Sequence, residues 1–349
     1  LSAAARTRRP GENAVIYDIE LNSVAHYPAD ELMELAPRIE DAGFDAFWKG
    51  ESNSTDPLIA LTGMAARTKT LKFGSAIYHI FGRSPIAAAT QVATLQDLSH
   101  GRFILGLGVA NKTIAEWHGG TYDRPLRRIR EYTEIVRKAA AGERVEYAGE
   151  LYGTGKRFQL CWKPRHPQFP IYIAALGPKM TALAGEIGEG VVVNMAVPSK
   201  VREIAERARA GAAAAGRDPE KVQVMVKIRV CIHKDRTVAR DVFRPILAFY
   251  NVADHYSNML RECGFDREVE AVQKAFKEQG FKAAASAITD EYMDQMPVIP
   301  ATSVEEVRDR LQPFLSSGLT RCSMPYVPAQ EPNSEDALRF IEGWRRTAR

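Results

Sequence analysis

The sequence predicts a (β/α)8 barrel, on two observations. A strand-like run followed by a helical pattern recurs eight times between residues 14 and 346. Several strand candidates are also unbroken apolar runs, such as Phe103-Ile104-Leu105-Gly106-Leu107-Gly108-Val109, as expected of parallel strands buried on both faces.

The elements follow in order. Ala14–Leu21 reads as a strand, and Ala29–Ala42 then sets Leu32, Leu35, Ala36 and Ile39 at helical spacing until Gly43 stops it. The same alternation gives Ala46–Lys49 with Pro57–Arg67, Leu71–Ile77 with Ala87–Leu98, and Phe103–Val109 with Leu126–Ala141. After a longer connection come Ile171–Ala175 with Lys179–Ile187, Val191–Met195 with Ser199–Ala215, and Val222–Ile232 with a helix-rich stretch. Thr320–Tyr326 and Ser334–Arg346 close the series. The competing arrangement is an open dinucleotide-binding sheet, supported by Gly106-Leu107-Gly108. That fingerprint needs a third glycine where Asn111 stands, and no helix is expected directly behind it.

One barrel domain is therefore expected over residues 1–349, with insertions at about 142–170 and 241–300. The first, rich in Gly, Pro and aromatics, reads as hairpin-like. The second is helical and follows a strand, so it lies over the C-terminal mouth, either as a lid or substrate wall or as a dimerisation bundle.

Composition narrows the function. With 45% hydrophobic and 26% charged residues the chain can bury a large core, and 47 basic against 43 acidic side chains leave a net charge of +4, too small and interspersed to indicate nucleic acid. Cys161, Cys231, Cys263 and Cys322 are scattered, which suits reduced thiols in a cytoplasmic protein. Residues 1–9 carry Arg6, Arg8 and Arg9 with no apolar stretch behind them, and nowhere do eighteen apolar residues run together, so neither secretion nor membrane insertion is expected. The seven histidines show no metal spacing and there is no GxSxG elbow, which disfavours metal and serine-hydrolase chemistry. The expected partner is a small-molecule substrate.

Ser99-His100-Gly101-Arg102-Phe103-Ile104-Leu105-Gly106-Leu107-Gly108, preceded by Arg83-Ser84-Pro85, resembles the luciferase-like superfamily of flavin- and deazaflavin-dependent enzymes. Within it the sequence is similar to methylenetetrahydromethanopterin reductase, which uses coenzyme F420. Gly43-Phe44-Asp45, Gly177-Pro178-Lys179-Met180, Leu183-Ala184-Gly185-Glu186-Ile187 and Ala214-Ala215-Gly216-Arg217-Asp218-Pro219 extend the likeness over nearly the whole chain. The resemblance implies the bacterial-luciferase type of barrel, coenzyme F420 or alternatively FMN, and a homodimer or homotetramer.

Barrel enzymes carry their chemistry at the C-terminal ends of strands. Glu20, after Val15–Ile19, is the expected proton relay by family likeness; its structural alternative is a carboxylate that pairs with Arg or Lys. Glu51 is a second acid or an anchoring hydrogen-bond acceptor, and Ser52 stands where the family commonly has histidine. Asn111 replaces an acidic residue of the reductase. The resemblance places Ser52, Ser75, Ala76, Tyr78, Gly108, Asn111, Lys112 and Ala175 around the cofactor, with a non-proline cis bond at Ser75–Ala76. Gly177, Pro178 and Lys179 open a helix whose free N–H groups suit the anionic cofactor tail, or merely cap the helix; Arg83 and Lys112 are further cations. Three functions follow: hydride transfer to a C=N or C=C substrate such as a methylene-pterin, FMN-dependent monooxygenation, and non-catalytic flavin binding.

Overall fold

The computed structural model describes residues 15–21, 26–330 and 334–347. The expected strand residue Ala14 and the arginines of residues 1–9 lie outside the described residues. Strands β1 (Ile16–Leu21), β2 (Ala46–Lys49), β3 (Lys72–Ser75, resuming at Tyr78–His79), β4 (Phe103–Gly108), β5 (Ile171–Ala174), β6 (Gly190–Asn194) and β7 (Gln223–Lys227, resuming at Arg229–Ile232) pair in sequence. β8 (Val298–Ala301) adds to the second half of β7, and β9 (Arg321–Tyr326) pairs with both β7 and β1. Every pairing is parallel, and the β1–β9 ladder from Ile16↔Arg321 to Leu21↔Tyr326 closes an eight-stranded (β/α)8 barrel, with β8 as an added edge.

Four of the surrounding helices begin one or two residues earlier than periodicity suggests, and the one at Pro57 begins where expected. Pro57, Pro85, Pro125, Pro178 and Pro198 are the first residues of α2 (Pro57–Ala65), α3 (Pro85–Leu98), α5 (Pro125–Ala140), α6 (Pro178–Ile187) and α7 (Pro198–Ala214). Proline fits this position because its missing N–H would be unpaired there anyway. α1 (Ala29–Asp41) buries Leu32, Leu35, Ala36 and Ile39 and ends before Gly43, whose φ of +83° favours a residue without Cβ. A short helix, α4 (Lys112–Trp117), does open directly behind β4, contrary to expectation: Asn111 caps it by accepting the Ile114 N–H at 3.0 Å.

Between α5 and β5 the chain folds back through antiparallel bridges Val145↔Phe158 and Ala148↔Gly153. After β7 come α8 (Arg236–Val252), α9 (Asp254–Glu262), α10 (Asp266–Gln279), α11 (Phe281–Ser286) and α12 (Asp290–Met293), then β8. α13 (Val304–Leu315) and α14 (Ser334–Thr347) complete the ring. Among the described residues no helix is long and apolar enough to cross a membrane.

The main core fills the space between helices and strands, while a smaller cluster inside the barrel joins Ala46, Trp48, Ala76, Ile104, Tyr172, Val192 and Met225. Trp48 lies across Gly74 so closely that a Cβ there would stand 2.1 Å from its Cε3. This packed layer is the floor of the mouth.

Candidate active site

Alternation along the strands points every second side chain at the barrel axis. In β1 these are Asp18 and Glu20. Asp18 lies at floor level, where Arg321 donates to both its oxygens at 2.7 and 2.9 Å and Trp48 Nε1 donates at 2.9 Å. Arg321 also reaches Asp45, which Lys72 pairs at 3.0 Å.

One layer higher, at the C-terminal end of β1, Glu20 is only 2% exposed. Lys227 on β7 places its Nζ 2.7 Å from Glu20 Oε2 and donates to the Ala76 carbonyl at 3.2 Å. Beyond this ion pair Oε2 has no other hydrogen-bond partner. Ser323 Oγ, on neighbouring β9, is likewise buried without a partner. Lys49, at the end of β2, is buried and donates to Ser54 Oγ at 3.4 Å. Burial pushes its ammonium down, partly offset by the charge of Glu20 and reinforced by that of Lys227. Gly50 keeps this corner open, since a Cβ there would come within 3.0 Å of the Ala76 carbonyl oxygen and 3.8 Å of Glu20 Oε1. Lys227 and Lys49 are thus neighbours of Glu20 that sequence reading did not single out.

Glu51 is held internally. Its carboxylate pairs with Arg83 and accepts the His79 N–H at 3.0 Å, while His79 Nε2 lies 3.4 Å away. Arg83 bridges on to Asp56 and lies 4.9 Å from the Tyr78 ring centroid. Burial holds the His79 ring below its ordinary value, against the pull of Glu51.

The remaining expected site residues divide by surroundings. Ser75 Oγ is buried between the carbonyl and N–H of Gly106, at 2.9 and 3.0 Å. Tyr78 turns its hydroxyl to Gln91 at 3.0 Å, and Gly108 packs beside Ile77 and Ala174. Ala175 is buried and donates its N–H to the Val192 carbonyl at 3.2 Å. The cis bond is Ala76–Ile77 rather than Ser75–Ala76: Ser75 still pairs with Lys49, and the chain leaves the β2 ladder only beyond Ala76, whose N–H reaches the Lys49 carbonyl. Ser52 is exposed near Ser54, and Lys112 is a solvated cation 3.7 Å from Glu116. Gly177, Pro178 and Lys179 are exposed at the start of α6, and a Cβ on Gly177 would meet nothing within 4 Å. The structure therefore gathers Glu20 and Ala76 with Lys49 and Lys227, and leaves Ser52, Lys112 and Lys179 in solvent. Just past the strand ends, Ala110 and Met195 take φ of +48° and +59°, a region most side chains avoid.

A cavity of about 380 Å³ lies apart from this mouth, lined by Val197, Phe265, Met296, Ile299 and Phe314 among others; none of the expected site residues borders it.

The chain has counterparts among known proteins. Residues 14–321 match the family described as luciferase-like monooxygenase. The chain belongs to that family. It is 32% identical to the 5,10-methylenetetrahydromethanopterin reductase of Archaeoglobus fulgidus, over 91% of this chain and 93% of that protein. A Mycobacterium tuberculosis protein provisionally named a coenzyme F420-dependent oxidoreductase is 31% identical, over 89% and 95% of the respective chains. In structure, the coenzyme F420 dependent tetrahydromethanopterin reductase from Methanopyrus kandleri superposes with a TM-score of 0.79 over 94% of this chain and 97% of its own, at 24% identity. This luciferase-like protein is an enzyme of the oxidoreductase kind.

Proposed function

We propose that this chain is a coenzyme F420-dependent oxidoreductase that transfers a hydride to or from a C=N or C=C bond, as in a methylene-tetrahydropterin, with Glu20 as its acid. The observation that carries the reading is the burial of Glu20, 2% exposed in the mouth; its pairing with Lys227 at 2.7 Å is what the structural alternative expects as well. Glu20 sits at the end of a barrel strand, in a chain whose relatives are named as reductases of this kind. The residues present fit such a cofactor: buried Ser323 Oγ lacks a hydrogen-bond partner, the mouth holds buried cations, and Gly177 leaves the α6 N-terminus open. Ala76, Gly177, Pro178 and Lys179 would hold it, with Ser52, Asn111, Lys112 and Ala175 at the rim. Ser75, Tyr78 and Gly108 would shape the wall. A bound deazaflavin supplies hydride chemistry with little tendency to react with oxygen, because carbon stands where flavin has N5.

Reduction of a C=N bond adds hydride at carbon and a proton at nitrogen. Glu20 relays that proton to nitrogen, and Lys227 Nζ, 2.7 Å away, neutralises its carboxylate before and after the transfer. Glu51, saturated by Arg83 and His79, orders the wall instead. The family resemblance carries with it a homodimer or homotetramer, and the scattered cysteines suit the cytoplasm.

The test compares dissociation constants for F420 and FMN at one ionic strength and follows oxygen during turnover. Tighter F420 binding without oxygen uptake is expected, and Lys179→Ala should weaken it by about fivefold or less, as befits an exposed charge. Tighter FMN binding with oxygen consumed would establish the monooxygenase reading, which the family's description favours.

A further inference from the structure

Arg229 follows Lys227 by two residues on β7 and is only 6% exposed. One guanidinium nitrogen donates to Asn194 Oδ1 at 3.0 Å and touches Met195 Sδ at 3.1 Å; another donates to the Tyr250 hydroxyl at 2.9 Å. The Asn194 amide donates in turn to the hydroxyls of Tyr256 at 2.8 Å and Tyr250 at 3.2 Å.

All these partners are neutral. Among the described residues no carboxylate lies within 4.0 Å of Arg229, and Glu20, the buried carboxylate of the mouth, is paired with Lys227. A guanidinium removed from water without a counter-ion is costly, and the cost falls when an anion arrives. The hydroxyls point the same way. Each accepts from Asn194, and among the described residues neither finds an acceptor for its own proton. Tyr250, Tyr256 and Asn194 are partly exposed beside the buried guanidinium.

We propose that Arg229, Tyr250 and Tyr256 form a seat for an anionic oxygen group, a carboxylate or phosphate, on the molecule that occupies the mouth. The inference rests on the reading of the mouth as the active site. The group can belong to the substrate or to the cofactor tail. Arg presents a planar fork of donors suited to either anion, and the two hydroxyls add directional donors beside it.

The experiment measures binding of inorganic phosphate, F420 and the tail-less deazaflavin to wild type, Arg229→Gln and the Tyr250→Phe/Tyr256→Phe double variant. Calorimetry and thermal shift provide the readouts. Phosphate is expected to stabilise the wild type, and Arg229→Gln to weaken it by about tenfold to a hundredfold, the range for a lost charge-assisted hydrogen bond. A parallel loss for F420, with the tail-less compound unaffected, assigns the seat to the cofactor tail. Unchanged affinity for both deazaflavins, with phosphate binding lost, assigns it to the substrate. If Arg229→Gln does not fold, the double variant, which keeps both rings, decides on the same readouts. Phosphate and F420 binding equal in wild type and variants overturns the proposal. If neither F420 nor FMN binds wild type while phosphate still depends on Arg229, the cofactor reading fails and the seat stands.

Discussion

The floor of the barrel and its mouth are built from the same strands but treat charge oppositely. At the floor, Asp18 and Asp45 face Arg321 and Lys72, two anions against two cations, and Asp18 has donors on both oxygens. Even so, burial pushes Asp18 up to about 6 against the pull of Arg321, which marks how dry this layer is. One layer higher a buried carboxylate, Glu20, stands beside Lys49 and Lys227, and buried Ser323 Oγ lacks a hydrogen-bond partner. Satisfied polarity at the closed end holds the barrel together. Unsatisfied polarity at the open end is what a ligand can complete.

Three substitutions probe this contrast. Glu20→Gln keeps shape but removes the exchangeable acid, so turnover should fall by about 10²–10⁴-fold while F420 affinity is unchanged, in single-turnover and binding assays. Unchanged turnover would place Glu20 with the floor, as a structural charge. Arg321→Leu leaves Asp18 buried without its counter-ion and should cost about 3–5 kcal/mol of stability, seen as a lower urea midpoint. Lost cofactor affinity at unchanged stability would instead make the floor part of the site.

The smallest effect concerns Glu40, on the closed side, whose Oε1 accepts the N–H groups of Lys69, Thr70 and Leu71 at the start of β3. Burial works to raise its pKa, but the N–H donors of Thr70, Leu71 and Lys69 and the Thr70 hydroxyl together outweigh it, holding the carboxyl at about 2 against an ordinary 4.5. A folded value below the unfolded one gives stability present above 4.5 and lost as pH falls toward about 2. Glu40→Gln should flatten acid unfolding across that window, measured by circular dichroism, and leave F420 binding at neutral pH untouched.

The barrel was legible because strands buried on both faces leave apolar runs, and because glycine and proline mark the turns between them. β8 was not: Pro300 within Val298-Ile299-Pro300-Ala301 reads as a breaker, yet an edge strand tolerates it. Asn111 was noted as a family departure, but its capping of α4 went unread because a six-residue helix shows little periodicity. Glu20 was legible from its place after an apolar run. Its partner was not, because only barrel closure brings β7 across to β1. Lys227 and Arg229, two apart within Val222–Ile232, did carry a signal: cations alternating with apolar residues mark one face of the strand as polar. The Asn194–Tyr250–Tyr256 cluster left no such trace, since it joins a strand end to two helices of the long insertion.

The contact of Trp48 with Gly74 also reaches into the protein's descent. Because a Cβ at position 74 would stand 2.1 Å from the indole, these two positions cannot drift independently. A lineage that acquires alanine or serine at 74 must first, or together, give up tryptophan at 48, and that exchange would remove the indole donor from Asp18 at 2.9 Å. Relatives should therefore lack one combination, a residue larger than glycine at position 74 facing tryptophan at 48.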